Sequence, residues 1–301
     1  MRTALDLRAV VALVVLCGSW GLSYVAIKVT LLGMPPAFQL GARSALAALL
    51  VFLWCLVRRK SLFERDRTLW PGLLAGLLFA LEFLAIFVGM QWTTAARAIV
   101  FIYLSPFVVA LCGHFFLNEP LNTRKFVGLV LAFAGLIVPF SEALAFPSRQ
   151  MLLGDVLCVV AGILWGLTTV VIKGSALARA PAEKTLLYQL GVSAVFGIGL
   201  SIAIGETINL GPATAVLPAF LYQAIWVAAV TYVAWFALIR AYPVSLLSAF
   251  TFLSPLFGVA FGAALLNEPI SMSLIAGLLM VAAGIYLVNR SARPAEIQSP
   301  S

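Results

Sequence analysis

Apolar runs of 18 to 24 residues, parted by short polar segments, take up nearly the whole chain. A membrane-spanning helix needs about 20 apolar residues. The pattern therefore predicts spans at 9–29, 36–57, 71–91, 95–116, 123–140, 152–173, 185–204, 217–238, 243–266 and 272–289. The polar breaks at 91–94 and 240–243 are so short that the helices they join must be antiparallel neighbours. Pro36, Pro71, Pro218 and Pro243 stand near expected helix starts, where a missing N–H costs little.

The pattern occurs twice. Tyr103–Asn122 (YLSPFVVALCGHFFLNEPLN) and Phe252–Ser271 (FLSPLFGVAFGAALLNEPIS) agree at eight of twenty positions, among them two Ser-Pro and two Asn-Glu-Pro. Trp20-Gly21 is matched by Trp165-Gly166, Lys28 by Lys173, and Gln39-Leu40-Gly41 by Gln189-Leu190-Gly191. Residues 1–140 and 152–290 are thus expected to be five-helix repeats, with 141–151 a linker and 291–301 a disordered tail. An odd number of spans per repeat inverts one half relative to the other, an architecture with a site near mid-membrane between the halves. The expected fold is all-α and integral to the membrane: ten transmembrane helices as two inverted five-helix repeats around a central cavity.

Composition removes most other classes. At 63% hydrophobic and 10% charged, the chain is far from the roughly half-apolar soluble norm. A net charge of +8 could suggest nucleic acid, but cations in cytoplasmic loops are what membrane orientation requires. With both termini in the cytoplasm, 15 of the 19 Lys and Arg fall inside. No cleavage site follows the first apolar run, so it is read as a retained span. Cys17, Cys55, Cys112 and Cys158 show no paired or metal-type spacing and read as small hydrophobes. No phosphate loop, metal cluster or nucleophile–base pair is recognisable, so no cofactor, metal or enzyme activity is expected.

Candidate chemistry sits on helix faces. Phe79, Glu82, Phe83 and Ile86 fall at i, i+3, i+4 and i+7 of the third span. The equivalent face of the eighth span carries Ala228, Thr231, Tyr232 and Trp235. Trp20 and Tyr24 match Trp165 and Thr169 at a spacing of four, with both Trp near mid-depth, and Phe101 matches Phe250. Convergence of these faces would line a cavity with rings and a few hydroxyls, suited to an amphipathic solute. Each ring also has a packing reading. Pro106 and Pro255 are expected to kink their helices, either as a packing bend or by freeing a carbonyl toward the cavity. Gly21 and Gly166 follow the two Trp as structural or gating positions. Gly72/Gly76 and the equivalent pairs Gly128/Gly135 and Gly277/Gly284 read as interhelix contacts.

Glu82 is the one acid deep within an expected span, where an unpaired charge costs a few kcal/mol or more. Three roles stay open to it: pairing with Arg43 or Arg97, binding a substrate ammonium, or carrying a proton. Glu119 and Glu268 read as caps or cation partners, and Lys28 and Lys173 as side chains reaching toward the interface.

The two aromatic-or-Leu–Ser-Pro segments running to Leu-Asn-Glu-Pro, with glycines nine and sixteen residues after the Glu and Trp-Gly in the first helix of each half, resemble the drug/metabolite transporter superfamily. More narrowly the chain looks like its ten-helix bacterial branch of two EamA-type repeats. The usual Leu-Gly-Glu stands here as Leu-Asn-Glu. The resemblance implies a cavity ringed by helices one, three, four, six, eight and nine, in the bacterial inner membrane. It also implies a secondary transporter working by alternating access, most similar to exporters of aromatic and hydrophobic amino acids. An exchanger of phosphate-bearing metabolites and a non-transporting sensor or assembly subunit are the alternatives. The expected partners are a small amphipathic solute and membrane lipid, with no nucleic acid.

Overall fold

A computed structural model describes residues 5–62, 64, 66–141, 147–209, 213–266 and 272–290. The expectations for Asn267-Glu268-Pro269, residues 142–146 of the linker and the 291–301 tail lie outside the described residues. Every regular element among the described residues is helical: α1 Leu7–Thr30, α2 Pro36–Val57, α3 Leu69–Trp92, α4 Ala95–Ile102, α5 Ser105–Phe116, α6 Thr123–Phe140, α7 Arg149–Gly174, α8 Ala182–Ala203, α9 Ala213–Leu221, α10 Tyr232–Ala241, α11 Val244–Phe250, α12 Leu253–Leu266 and α13 Met272–Arg290. A π-helix, Tyr222–Thr231, joins α9 to α10, and a 3₁₀ turn, Ala176–Arg179, precedes α8. In hydrocarbon every backbone N–H and C=O must be satisfied within its own segment, so apolar runs of this length become helices.

Among the described residues, nine helical stretches are long and apolar enough to cross a membrane. The remaining span, ninth in chain order, is α11 followed by α12. The fourth span is likewise two pieces, α4 and α5. Both break just before their Ser-Pro, at Tyr103-Leu104 and at Thr251-Phe252, because proline offers no N–H to the preceding turn and crowds it. The carbonyl that Pro106 leaves unpaired belongs to Ile102, and it lies against Gly162 of α7: a Cβ on Gly162 would stand 2.6 Å from that oxygen. The bend is therefore buried in helix packing. Pro218 departs from expectation by sitting inside α9, directly ahead of the π-helix.

Glycine contacts hold the halves together. A Cβ on Gly21 would meet Ser254 O at 2.3 Å, and one on Gly166 would meet Val108 Cβ at 2.7 Å and Ser105 O at 3.3 Å. Each Trp-Gly thus seats its helix on the Ser-Pro break of the other half. On α6 and α13, Gly128 meets Gly284 and Gly135 meets Gly277, with would-be Cβ to carbonyl distances of 2.5 to 2.8 Å. The glycine pairs equivalent in sequence are in contact with each other, and α2 crosses α8 in the same way where Gly41 meets Gly197.

The inversion is visible in two lysines. Lys28 Nζ donates to the carbonyls of Met90 and Thr93, at the end of the third span. Lys173 Nζ donates to Ile239 and, at 2.8 Å, to Tyr242, the equivalent carbonyls of the eighth span at the other end of the bundle. The expected reach of these lysines toward the interface is corrected. Each turns inward to cap carbonyls that a helix end leaves unpaired, where a cation also suits the helix dipole.

Candidate functional site

The rings converge. Trp20 stands edge-on to Trp235 at 5.2 Å, to Tyr232 at 6.1 Å and to Trp165 at 6.4 Å between centroids. Trp165 meets Tyr103 at 5.5 Å, and Phe79 meets Phe83 at 4.7 Å and Tyr232 at 5.9 Å. Edge-to-face pairs of this kind contribute about 0.5–1.5 kcal/mol each beyond their burial. They enclose a cavity of about 70 Å³ at mid-bundle. Pockets that bury a drug-sized ligand are several times larger, so the rings must part to admit a solute of that size.

Nine of the twelve anticipated lining residues border this cavity: Trp20, Tyr24, Phe79, Glu82, Phe83, Trp165, Thr169, Tyr232 and Trp235. Thr231 does not, and the cause is the π-helix. Its wider turn puts residues five apart in line, so Val227 and Tyr232 share the cavity face while Thr231 rotates behind it. There Thr231 Oγ1 donates to Val227 O at 2.6 Å and accepts the indole N–H of Trp20 at 2.9 Å. It positions Trp20 from outside the cavity.

Phe101 is also absent from the lining. Helix α4 ends one residue later, and the turned backbone presents Ile102 and Tyr103 instead, leaving the Phe101 ring 5.9 Å from the Arg97 guanidinium carbon. Phe250, at the end of α11, is buried behind α1, where its carbonyl accepts from Cys17 Sγ. No described residue of the ninth span borders the cavity, which corrects the ring of helices that the family resemblance implies. The seventh span takes part through Gln189 of α8.

The polar groups are few. Thr168 and Thr169 turn their hydroxyls back to Leu164 O and Trp165 O, at 2.8 and 3.1 Å, a common use of threonine in helices. Glu82 Oε2 and both polar atoms of the Gln189 amide are buried without a hydrogen-bond partner. Behind the ring layer, Arg43 of α2 is fully buried, its guanidinium carbon 3.9 Å from the Phe83 centroid and 5.5 Å from that of Phe87. Glu82 and the Tyr232 hydroxyl are its electrostatic neighbours, but none of its nitrogens makes a hydrogen bond of ordinary geometry. A guanidinium over a desolvated ring gains about 2 kcal/mol, which offsets part of the cost of burying Arg43 at this depth.

Arg97 is committed elsewhere, to Asp155 at the start of α7. Asp155 also accepts from Thr93 Oγ1 at 2.7 Å. Sequence reasoning passed over Asp155, Gln189 and Tyr103. A signal existed for the first two, since an acid or an amide inside an apolar span needs a partner. Glu119 caps a helix, as one of its readings held, and the helix is α11: its carboxylate accepts from Val244 N at 3.0 Å and from Ser245 N at 3.1 Å.

Compared with known proteins, the chain matches the model of the EamA-like transporter family twice, over residues 7–140 and 152–290. The chain belongs to this family. An uncharacterized transporter of Archaeoglobus fulgidus is 30% identical over 280 residues, covering 90% of this chain and 93% of that protein. The uncharacterized transporter YoaV of Bacillus subtilis is 26% identical over 277 residues, covering 89% and 92%. A protein of Salmonella typhimurium named a probable amino-acid metabolite efflux pump is 27% identical over 294 residues, covering 91% and 94%. A solved crystal structure superposes with a TM-score of 0.78 over 96% of both chains at 17% identity, a likeness of fold. The chain is a multi-pass membrane transporter of the EamA family.

Proposed function

We propose that the protein exports aromatic and hydrophobic amino acids and related amphipathic metabolites across the bacterial cytoplasmic membrane by alternating access. In this reading residues 1–140 and 152–290 are the two moving repeats, residues 141–151 link them, and both termini face the cytoplasm. The observation that carries it is the mid-depth box of Trp20, Trp165, Tyr232, Trp235, Phe79 and Phe83, bordered by Glu82 Oε2 and the Gln189 amide, which have no hydrogen-bond partner. Rings at edge-to-face distances suit an apolar or aromatic side chain. A phosphate-bearing solute would need several cations at the cavity, whereas Arg97 is engaged with Asp155 and Arg43 lies behind Phe83. The name of the Salmonella relative agrees with amino-acid export.

The test is transport by the purified protein in liposomes, with labelled phenylalanine, tryptophan, leucine, a sugar phosphate and a cationic dye offered separately. Saturable transport of the amino acids is expected, and transport of the sugar phosphate alone would overturn the reading. Trp165→Ala should weaken transport of tryptophan more than it lowers the amount of folded protein. Cysteine labelling at 58–62 and 147–149 should report opposite sides of the membrane.

A further inference from the structure

Among the described residues, ten buried side-chain atoms lack a hydrogen-bond partner, and nine of them lie on α2, α3 and α8. They belong to Gln39, Arg43 and Ser44 on α2, Glu82 on α3, and Gln189 and Ser193 on α8. A buried polar atom left unpaired costs about 1–3 kcal/mol. Native proteins carry few, and those that persist call for an explanation. The clustering has a geometric basis. Gly41 meets Gly197 where α2 crosses α8, and antiparallel continuation brings Ser44 and Ser193 to one level, with Gln189 a further turn along the same face of α8.

We infer that Glu82 and Gln189 form a head-group subsite for the zwitterionic end of an α-amino acid. This rests on the amino-acid reading above and assigns which atoms recognise the head group. Glu82 offers its buried, unpartnered Oε2 as an acceptor for an ammonium, with the Arg43 guanidinium as its electrostatic neighbour. Gln189 offers an N–H donor for a carboxylate and a carbonyl acceptor for a second ammonium hydrogen. One donor and two acceptors bordering one cavity complement a group that itself carries both kinds. A plain amine would strand the Gln189 N–H, and a plain carboxylate would face Glu82. A site built to hydrogen-bond a group rejects analogues lacking it far more strongly than an apolar pocket rejects a missing methylene. The ring box would select the side chain, and Glu82 with Gln189 the class of molecule.

The experiment uses the full chain in liposomes, with labelled phenylalanine and with phenethylamine and 3-phenylpropionate, which lack the carboxylate and the ammonium in turn. Wild type should prefer phenylalanine to either analogue by tenfold or more. Gln189→Leu, apolar and of similar size, should raise the KM for phenylalanine about tenfold relative to that for phenethylamine, which loses one acceptor but is relieved of a stranded N–H. A packing role for Gln189 would lower the maximal rate or the folded yield without moving the ratio of the two KM values. Gln189→Glu, which keeps a polar side chain should the leucine protein fail to fold, should reverse the preference toward phenethylamine. An unchanged KM ratio in a folded variant overturns the subsite while leaving amino-acid transport standing. Absence of phenylalanine transport by wild type overturns both.

Discussion

Arg97 and Asp155, one from each half of the chain, form a buried ion pair in which Asp155 Oδ2 accepts from Arg97 Nη2 at 2.5 Å and from Nε at 3.1 Å. Removing one member of such a pair leaves a charge stranded in low dielectric, at a cost of about 3–5 kcal/mol. Asp155→Ala should therefore lower the melting temperature in detergent sharply, whereas Arg97→Met with Asp155→Leu should recover most of the loss, because two apolar groups need no partner. Size-exclusion chromatography after heating measures both. Equal melting of wild type and the single variant would remove the pair from the account of stability.

The hydrogen bond from Trp20 Nε1 to Thr231 Oγ1 fixes the ring at the centre of the box. Thr231→Val keeps the shape and removes the acceptor, so the buried indole N–H loses about 1–3 kcal/mol. Transport of an aromatic substrate should weaken along with it. Thr231→Ser should restore both, and a serine protein as impaired as the valine one would point to lost methyl packing instead.

Two glycines of α8 separate backbone packing from helix propensity. A Cβ on Gly197 would stand 2.5 Å from Gly41 N and 2.9 Å from Ala37 O, backbone atoms that cannot move aside, whereas one on Gly191 meets nothing within 4 Å. Gly197→Ala should force α2 from α8 and abolish most folded protein. Gly191→Ala should be neutral or stabilising by up to about 1 kcal/mol, the intrinsic helix preference for alanine. Yields of monodisperse protein compare the two directly.

Outside the membrane, Lys184 and the Thr68 hydroxyl hold the Asp66 carboxyl down to about 2, from an ordinary 3.8. A depressed carboxylate stabilises the fold above its unfolded pKa, and that contribution is lost as pH falls through the folded value. The contribution of Asp66 should hold at pH 5 and fade between about pH 4 and pH 2. The difference in melting temperature between wild type and Asp66→Asn, followed across that range, should shrink toward zero. A constant difference would show that the contact is worth nothing to stability.

Much of the fold was legible because a membrane leaves few options. Runs of apolar residues must be helices, their number follows from their length, and a repeated Trp-Gly, Ser-Pro and Asn-Glu-Pro reveals a duplication whose odd span count inverts one half. Nine residues that border the cavity follow from helical spacing together with the correspondence of the repeats, because a regular helix carries a sequence spacing faithfully into a face. Where the helix is not regular, that inference fails. Thr231 left the cavity because the π-helix changes the period, and Phe101 left it because α4 ends at Ile102. Gln39 and Gln189 occupy equivalent positions in the repeated sequence. Yet Gln39 donates to Gln223, which in turn donates to Thr30, while Gln189 borders the cavity unpaired. Local spacing and polarity set which helices form and which faces they carry. The choice of partner for each buried polar group, Arg97 with Asp155 and Arg43 beside Glu82, belongs to tertiary structure, because it turns on how helices distant in sequence cross.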